Sequence, residues 1–258
     1  MVYKNGPDFR IRPLQQIKED LLWAKKNLGN HIKTIFFPSG NTIIMKTSDL
    51  IDILNYTTEL FPTIKRITVY GSSQYIARKG IDDMKKIAEA GLSRIHVGLE
   101  SGDDTILKQV RKGTTAAEQI KAGLITKQAG IQLSEYVVLG LGGKARTTEH
   151  IKETIHVLNA INPHYIRIRT FLPKINTPIL EDIKSGKFQI LSPHETLGEL
   201  YTLIQGLEVT SHLVSDHYTN YIPVQGQLPK DRINMLKEVK QALQQDESSF
   251  RTTYIGTE

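Results

Sequence analysis

Arg94-Ile95-His96-Val97-Gly98-Leu99-Glu100-Ser101-Gly102 reads as a strand that runs straight into a turn. Its apolar and β-branched residues mark a buried strand, and Glu-Ser-Gly closes it. Similar runs stand on both sides, at Ile32–Phe37, Arg66–Tyr70, Gln132–Leu139 and Tyr165–Thr170. Their starts are about 28 to 38 residues apart, the length of a strand–helix unit. The intervals carry helical spacing. Leu14, Ile17, Leu21, Ala24 and Leu28 fall on one face, as do Ile81, Met84, Ile87 and Ala88 before a stop at Gly91. Thr115 with Glu118 reads as a capping box for a helix ending at Gly130, and a further helix is expected from about Thr147 to Ala160.

Repeated strand–helix alternation with buried strands implies an α/β fold whose parallel sheet is covered by helices. A partial barrel and a doubly wound sheet satisfy this pattern equally. The strand ends add something. They read Pro38-Ser39-Gly40-Asn41, Tyr70-Gly71-Ser72-Ser73, Glu100-Ser101-Gly102, Gly140-Leu141-Gly142-Gly143 and Arg169-Thr170. Glycine with small polar groups at successive strand ends is the composition of a ligand-binding rim, although each alone is only a turn.

After Pro173 the pattern changes. Ser192-Pro193 with Glu195 predicts a capped helix start, Leu207–Val214 is strand-like, and a last helix spans roughly Lys230–Gln245. Between the last two lies a polar, aromatic segment, Ser215-Asp216-His217-Tyr218-Thr219-Asn220-Tyr221. This divides the chain into a core over 1–185 and an α-rich extension over 186–258.

Composition narrows the chemistry. The net charge of +6 is spread over helix faces, so neither nucleic acid nor a membrane is an expected partner. No run of about 18 apolar residues exists and the N-terminus has no apolar signal core, so a cytoplasmic location is expected. The 258 residues include no cysteine, which excludes disulfides, thiol nucleophiles and thiolate metal sites.

Gly140-Leu141-Gly142-Gly143-Lys144-Ala145 matches a dinucleotide fingerprint, but the next strand ends in Arg167, Arg169 and Thr170 where that fingerprint needs an acid. A dinucleotide site is therefore not expected. Glu100 would point at a site to accept from a ribose hydroxyl or a ligand amine, or would serve the following helix as its cap. Arg167 and Arg169 share a strand face; they hold a carboxylate or phosphate, or form an ion-pair layer with Glu135 or Glu100. No metal site is expected, Asp216 and His217 being the nearest to one.

The stretch that opened this section, with Lys108-Gln109-Val110-Arg111-Lys112-Gly113 after it, resembles the fourth strand and following helix of radical S-adenosylmethionine (SAM) enzymes. The form is similar to the oxygen-independent coproporphyrinogen oxidase and methylthiotransferase branches. Tyr136–Gly142 resembles the family's fifth strand with its glycine motif, and Ile166–Pro173 with Asn176-Thr177-Pro178 its sixth. The resemblance implies a partial (β/α) TIM-like barrel, here of about five parallel strands with the first strand missing. It implies SAM and a [4Fe–4S] cluster as cofactors, and reductive SAM cleavage to a radical that abstracts hydrogen from substrate. Ser39, Gly40 and Asn41 would meet the SAM amino group, Glu100 and Ser101 its ribose or methionine part, and Gly140 and Leu141 its adenine. Ser72 and Arg169 complete the candidate cofactor-facing residues.

This chain departs from the family in the cysteine loop, which it lacks. Asn41 stands where the family has an acid, and Glu149 is the nearest glutamate after Gly143. The expectation is therefore a radical SAM-type oxidoreductase or transferase core of unknown substrate that is catalytically incomplete alone and shortened at its N-terminus. Two alternatives remain open. One is a degenerate barrel that binds partners, with self-association through the edge strand Ile32–Phe37. The other is a cofactor-independent lyase using Glu100 or Lys144 as base.

Overall fold

The structure is a computed structural model and describes residues 10–38, 40–252, 254 and 256. The strands are β1 (Thr34–Phe37), β2 (Arg66–Gly71), β3 (Leu92–Glu100), β4 (Gln132–Leu139), β5 (Tyr165–Thr170), β6 (His212–Val214) and β7 (Gln225–Gln227). They form one open sheet in simple chain order. β1, β2 and β3 pair in parallel, β6 lies parallel to β5, and β7 runs antiparallel to β6. An open, mostly parallel sheet with interleaved helices is the α/β class expected.

The helices are α1 (Leu14–Leu28), α2 (Thr47–Leu60), α3 (Ser73–Glu89), α4 (Asp104–Gln109), α5 (Ala116–Gln128), α6 (Thr147–Ile161), α7 (Ile179–Lys184), α8 (Pro193–Gly206) and α9 (Arg232–Ala242). The chain forms two compact units. One takes in Leu99–Ala117 and the chain from Glu135 on. The other holds the described residues up to Gly98 together with Glu118–Ser134.

The five strands read from periodicity are all present. The segment after 185 contributes more than helices, because β6 and β7 extend the sheet. Of the strand-like Leu207–Val214, only the last three residues pair; Leu207 and Val209 are buried without being in a strand. The helix start at Ser192 is as expected. Ser192 Oγ accepts from Glu195 N, and Glu195 Oε2 accepts from Ser192 N at 2.7 Å, behind Pro193.

Strand alternation sorts the side chains. Ile67, Val69, Ile95, Val97, Leu99, Leu133, Val137, Leu139, Ile166 and Ile168 are fully buried and aliphatic. The opposite register positions carry Phe36, Tyr70, Arg94, His96, Gln132, Tyr136, Arg167 and Arg169, nearly all half-buried. Apolar burial on one face holds the layers together at roughly 25 cal/mol per Å², which leaves the other face free to be polar and aromatic.

Candidate functional site

At the ends of β1 and β2 three of the expected residues lie within the described structure; Ser39 lies outside it. Gly40 is exposed, and a side chain there would meet nothing within 4 Å. Asn41 Nδ2 donates to Ser72 Oγ at 3.2 Å, so the structure brings these two together from different strand ends. Asn41 Oδ1 is buried and accepts no hydrogen bond from the described residues. Ser72 occupies the N-cap position of α3 without using its hydroxyl as a cap. Below them Phe36, Tyr70 and His96 form a ring cluster, with centroids 4.9 to 5.7 Å apart.

The end of β3 is built differently. Ser101 N donates to Leu99 O at 2.8 Å across Glu100, whose φ is 64°. That is a γ-turn centred on a non-glycine residue, a conformation costing on the order of 1–3 kcal/mol. It turns the Glu100 carboxylate to Lys112, with Nζ to Oε1 at 2.9 Å and both side chains about a quarter exposed. The helix cap is not Glu100 but Asp103, which accepts from Thr105 N and Ile106 N. Arg146 donates twice to Asp103 Oδ2, at 2.9 and 2.7 Å. Burial works to raise the Asp103 pKa, but the Arg146 and backbone hydrogen bonds outweigh it and the net shift is downward.

Ser101 is fully enclosed rather than on a rim. His150 Nε2 lies 3.0 Å from Val138 O, which can only accept, so Nε2 carries the proton. Nδ1 then accepts from Ser101 Oγ at 2.8 Å, and Ser101 Oγ accepts from Asp103 N at 3.0 Å. Burial holds the His150 pKa down to about 4, against the opposing Val138 bond and Asp103 charge, so the ring is neutral. Gly102 is required by packing: a Cβ there would lie 2.2 Å from Glu153 O.

At the end of β4 the glycine turn is likewise occupied by the protein. Gly140 N donates to Glu199 Oε2 at 2.7 Å, Gly143 N to Gly140 O, and Lys144 N to Gln189 O. A Cβ at Gly142 would lie 2.9 Å from Arg146 O. The amides that a pyrophosphate would need are thus engaged, which is the physical reason the dinucleotide fingerprint does not make a dinucleotide site. Glu199 comes from α8, 59 residues away, and also accepts from Thr147 Oγ1 at 2.6 Å. Burial pushes its carboxyl up to about 7 against those two hydrogen bonds. His150 Nε2 is 4.0 Å from Glu199. With His150 neutral, that approach is not an ion pair. Beside Gly140, the side chains of Leu139, Thr170, Phe171, Leu191, Thr196 and Tyr221 close around a gap with no room for a water molecule, and Leu141 is half-buried.

Arg167 and Arg169 share a half-buried face of β5, and neither joins an ion pair among the described residues. The expected layer with Glu100 or Glu135 does not form. Glu100 is held by Lys112, and Glu135 belongs to the other face of β4, with Leu133, Val137 and Leu139. Glu135 is buried and its Oε2 has no hydrogen-bond partner. Burial pushes its carboxyl up to about 8, with the Lys112 charge opposing and the Glu100 charge assisting. Arg169 lies over the Tyr136 ring at 5.0 Å. Lys144, the other candidate base, is ion-paired to Glu195 at 2.7 Å.

Sequence reading missed His150, Glu199 and Asn220 as partners of the strand ends, because each is 49 or more residues from the group it holds. No cysteine exists in the chain, and among the described residues no three His, Cys, Asp or Glu side chains are grouped to hold a metal. A [4Fe–4S] cluster therefore does not fit the donors present.

Residues 1–158 match the family described as the radical SAM superfamily. Similar solved structures include the archaeal Methanocaldococcus infernus Elp3 with an N-terminal deletion. It has a TM-score of 0.58 at 16% identity, covering 92% of this chain and 59% of that one. Coproporphyrinogen III oxidase (HemN) from Escherichia coli gives 0.59 at 14% identity, with 74% and 44% covered. Methylornithine synthase (PylB) gives 0.56 at 15%, with 95% and 77% covered. At these identities the likeness is one of fold, and this chain spans only about half the length of the first two. No protein of curated function matches the chain in sequence.

Proposed function

We propose, on the premise that this chain belongs to the radical SAM superfamily, that its core recognises SAM at the strand ends and is catalytically incomplete alone. The observation that carries this reading is the Asn41–Ser72 pair, with a buried Asn41 oxygen that lacks a donor. A buried acceptor without a partner costs about 1–3 kcal/mol, and the ammonium group of SAM would supply the missing donor. Gly40 leaves open space beside it. In the family, a cluster-bound SAM supplies radical chemistry. This chain has no thiolate for that cluster, and no reaction step is assigned to it.

Two measurements test the reading. Calorimetry with SAM should detect binding to the chain as it stands, and Asn41→Ala should weaken it about tenfold, the equivalent of about 1.4 kcal/mol. Absence of SAM binding, or an unaffected Asn41→Ala variant, would overturn it. Anaerobic incubation with iron and sulfide should give no cluster absorbance, and a strong cluster spectrum would contradict the assignment of incompleteness.

One observation favours a second use of the same core. Among the described residues β1 is an outer strand of the sheet, and Phe36 on it is 42% exposed. Edge strands present unpaired amides and carbonyls to other chains. Self-association through β1 should then appear in sedimentation, and a strict monomer at every concentration would end this reading.

A further inference from the structure

No SAM contact is assigned to the Ser215–Tyr221 segment, yet it is firmly fixed. Asn220 Nδ2 donates to Ile168 O at 3.0 Å and to Ser215 Oγ at 2.9 Å, while its Oδ1 accepts from Thr170 Oγ1 at 3.1 Å. Thr170 N donates to Thr219 Oγ1 at 3.4 Å. Arg251 donates to Thr219 O and lies over the Tyr221 ring at 4.5 Å. One side chain, Asn220, thus staples the loop after β6 onto the end of β5.

The loop brings donors toward donors. His217 Nδ1 accepts from Thr219, by its amide at 3.3 Å and its hydroxyl at 2.8 Å, which leaves the ring proton on Nε2. The His217 pKa is lowered by burial first and by the Arg169 charge second, with Asp216 opposing. Asp216 is itself exposed and joins no ion pair with either arginine. On β5, Arg167 Nε is buried with no acceptor, and Arg169 rests on Tyr136, a contact that orients a guanidinium without neutralising it. Two permanent charges therefore share one face of β5, with the His217 ring within electrostatic reach of Arg169 and no acid of the described residues paired to either arginine.

We propose that Arg167 and Arg169, closed over by the His217 loop, bind a doubly charged oxyanion group of this chain's substrate, a phosphate monoester being the simplest match. Strand geometry puts the two arginine Cα atoms about 7 Å apart on one face, so both planar forks can reach one small dianion. That the anion belongs to a substrate rests on the radical SAM reading. The measurement contains neither SAM nor iron, so anion binding and SAM binding fail separately.

The test is arginine modification by phenylglyoxal, mapped by mass spectrometry on the unaltered chain at about pH 8, where phosphate is a dianion. Inorganic phosphate or malonate should slow modification of Arg167 and Arg169 roughly fivefold over chloride of equal ionic strength, as charge-assisted bidentate pairing would. Whichever of the two protects better identifies the phosphate or dicarboxylate class. Equal protection by chloride would reduce the effect to ionic strength and overturn the proposal. Protection by free methionine as strong as that by phosphate would assign the arginines to the amino-acid end of SAM and also overturn it. By calorimetry, Arg167→Lys and Arg169→Lys should each lose at least about tenfold in phosphate affinity, while Lys240→Gln on exposed α9 should not. Unchanged affinity in both arginine variants would refute the site.

Discussion

The ends of β1 and β2 and the ends of β3 and β4 read alike in sequence, as glycine beside small polar residues, but they are used in opposite ways. Gly40, Asn41 and Ser72 leave open space and a buried oxygen without a donor. Ser101, Gly102 and Gly140 are occupied by α6 and α8 through His150, Glu153, Thr154 and Glu199. A small polar residue at a strand end is therefore a ligand contact only where no helix of the same chain has taken it. Glu100 stands between the two cases, strained in its backbone and held by one lysine, with its side chain still partly open to solvent.

The largest expected effect separates the two kinds of glycine. Gly102→Ala places a methyl 2.2 Å from Glu153 O, against backbone that cannot swing aside. It should destabilise the chain by about 3 kcal/mol or more in urea unfolding. A loss below about 1 kcal/mol would break the contrast.

Next comes the buried carboxylate on the aliphatic face of β4. Glu135 has a folded pKa of about 8, above its unfolded value, so the folded chain binds the extra proton. Stability should fall as pH rises from about 4.5 to 8 and then level off. Glu199, at about 7, acts in the same direction. His150 is opposite: its folded pKa of about 4 lies below the unfolded value, so stability should rise between about pH 4 and 6.5. Glu135→Gln should flatten the fall above neutrality and stabilise the chain at high pH by a few kcal/mol, on the order set by its pKa shift. Denaturant melts across pH check this, and an unchanged slope would remove Glu135 as its source.

Ser101→Ala should cost about 1–3 kcal/mol, since it leaves His150 Nδ1 and Asp103 N without a partner. Gly40→Ala, at the open rim, should change stability by less than about 0.5 kcal/mol. Any larger loss there would show that the β1 end is packed after all.

The five strands β1 to β5 were legible as apolar runs, α1 and α3 from their apolar period, and α5 and α8 from capping signals, while α2 (Thr47–Leu60) was not singled out. β6 was read only as the end of a longer strand-like run, Leu207–Val214, and β7 was not read, because Gln225-Gly226-Gln227 has no apolar residue at all. Among the candidate residues, the Asn41 and Ser72 neighbourhood followed from the order of strand ends. The enclosure of Ser101 and the capture of Gly140 did not, since burial is set by helices that fold back from 49 and 59 residues away. The arginine pairing with Glu135 failed on facing: alternation puts Glu135 with Leu133 and Val137, behind the sheet from the arginine positions.

The bond from Gly140 N to Glu199 has a consequence for how this barrel can be divided. A cut anywhere between Gly140 and α8 would leave the turn after β4 without its acceptor, and the loop carrying His217 without its anchor on β5. The stretch beyond residue 185 is thus less an accessory than a keystone: a shortened version that kept only the matched residues 1–158 would lose β5 to β7 and, with α8, the shape of the β4 end as well.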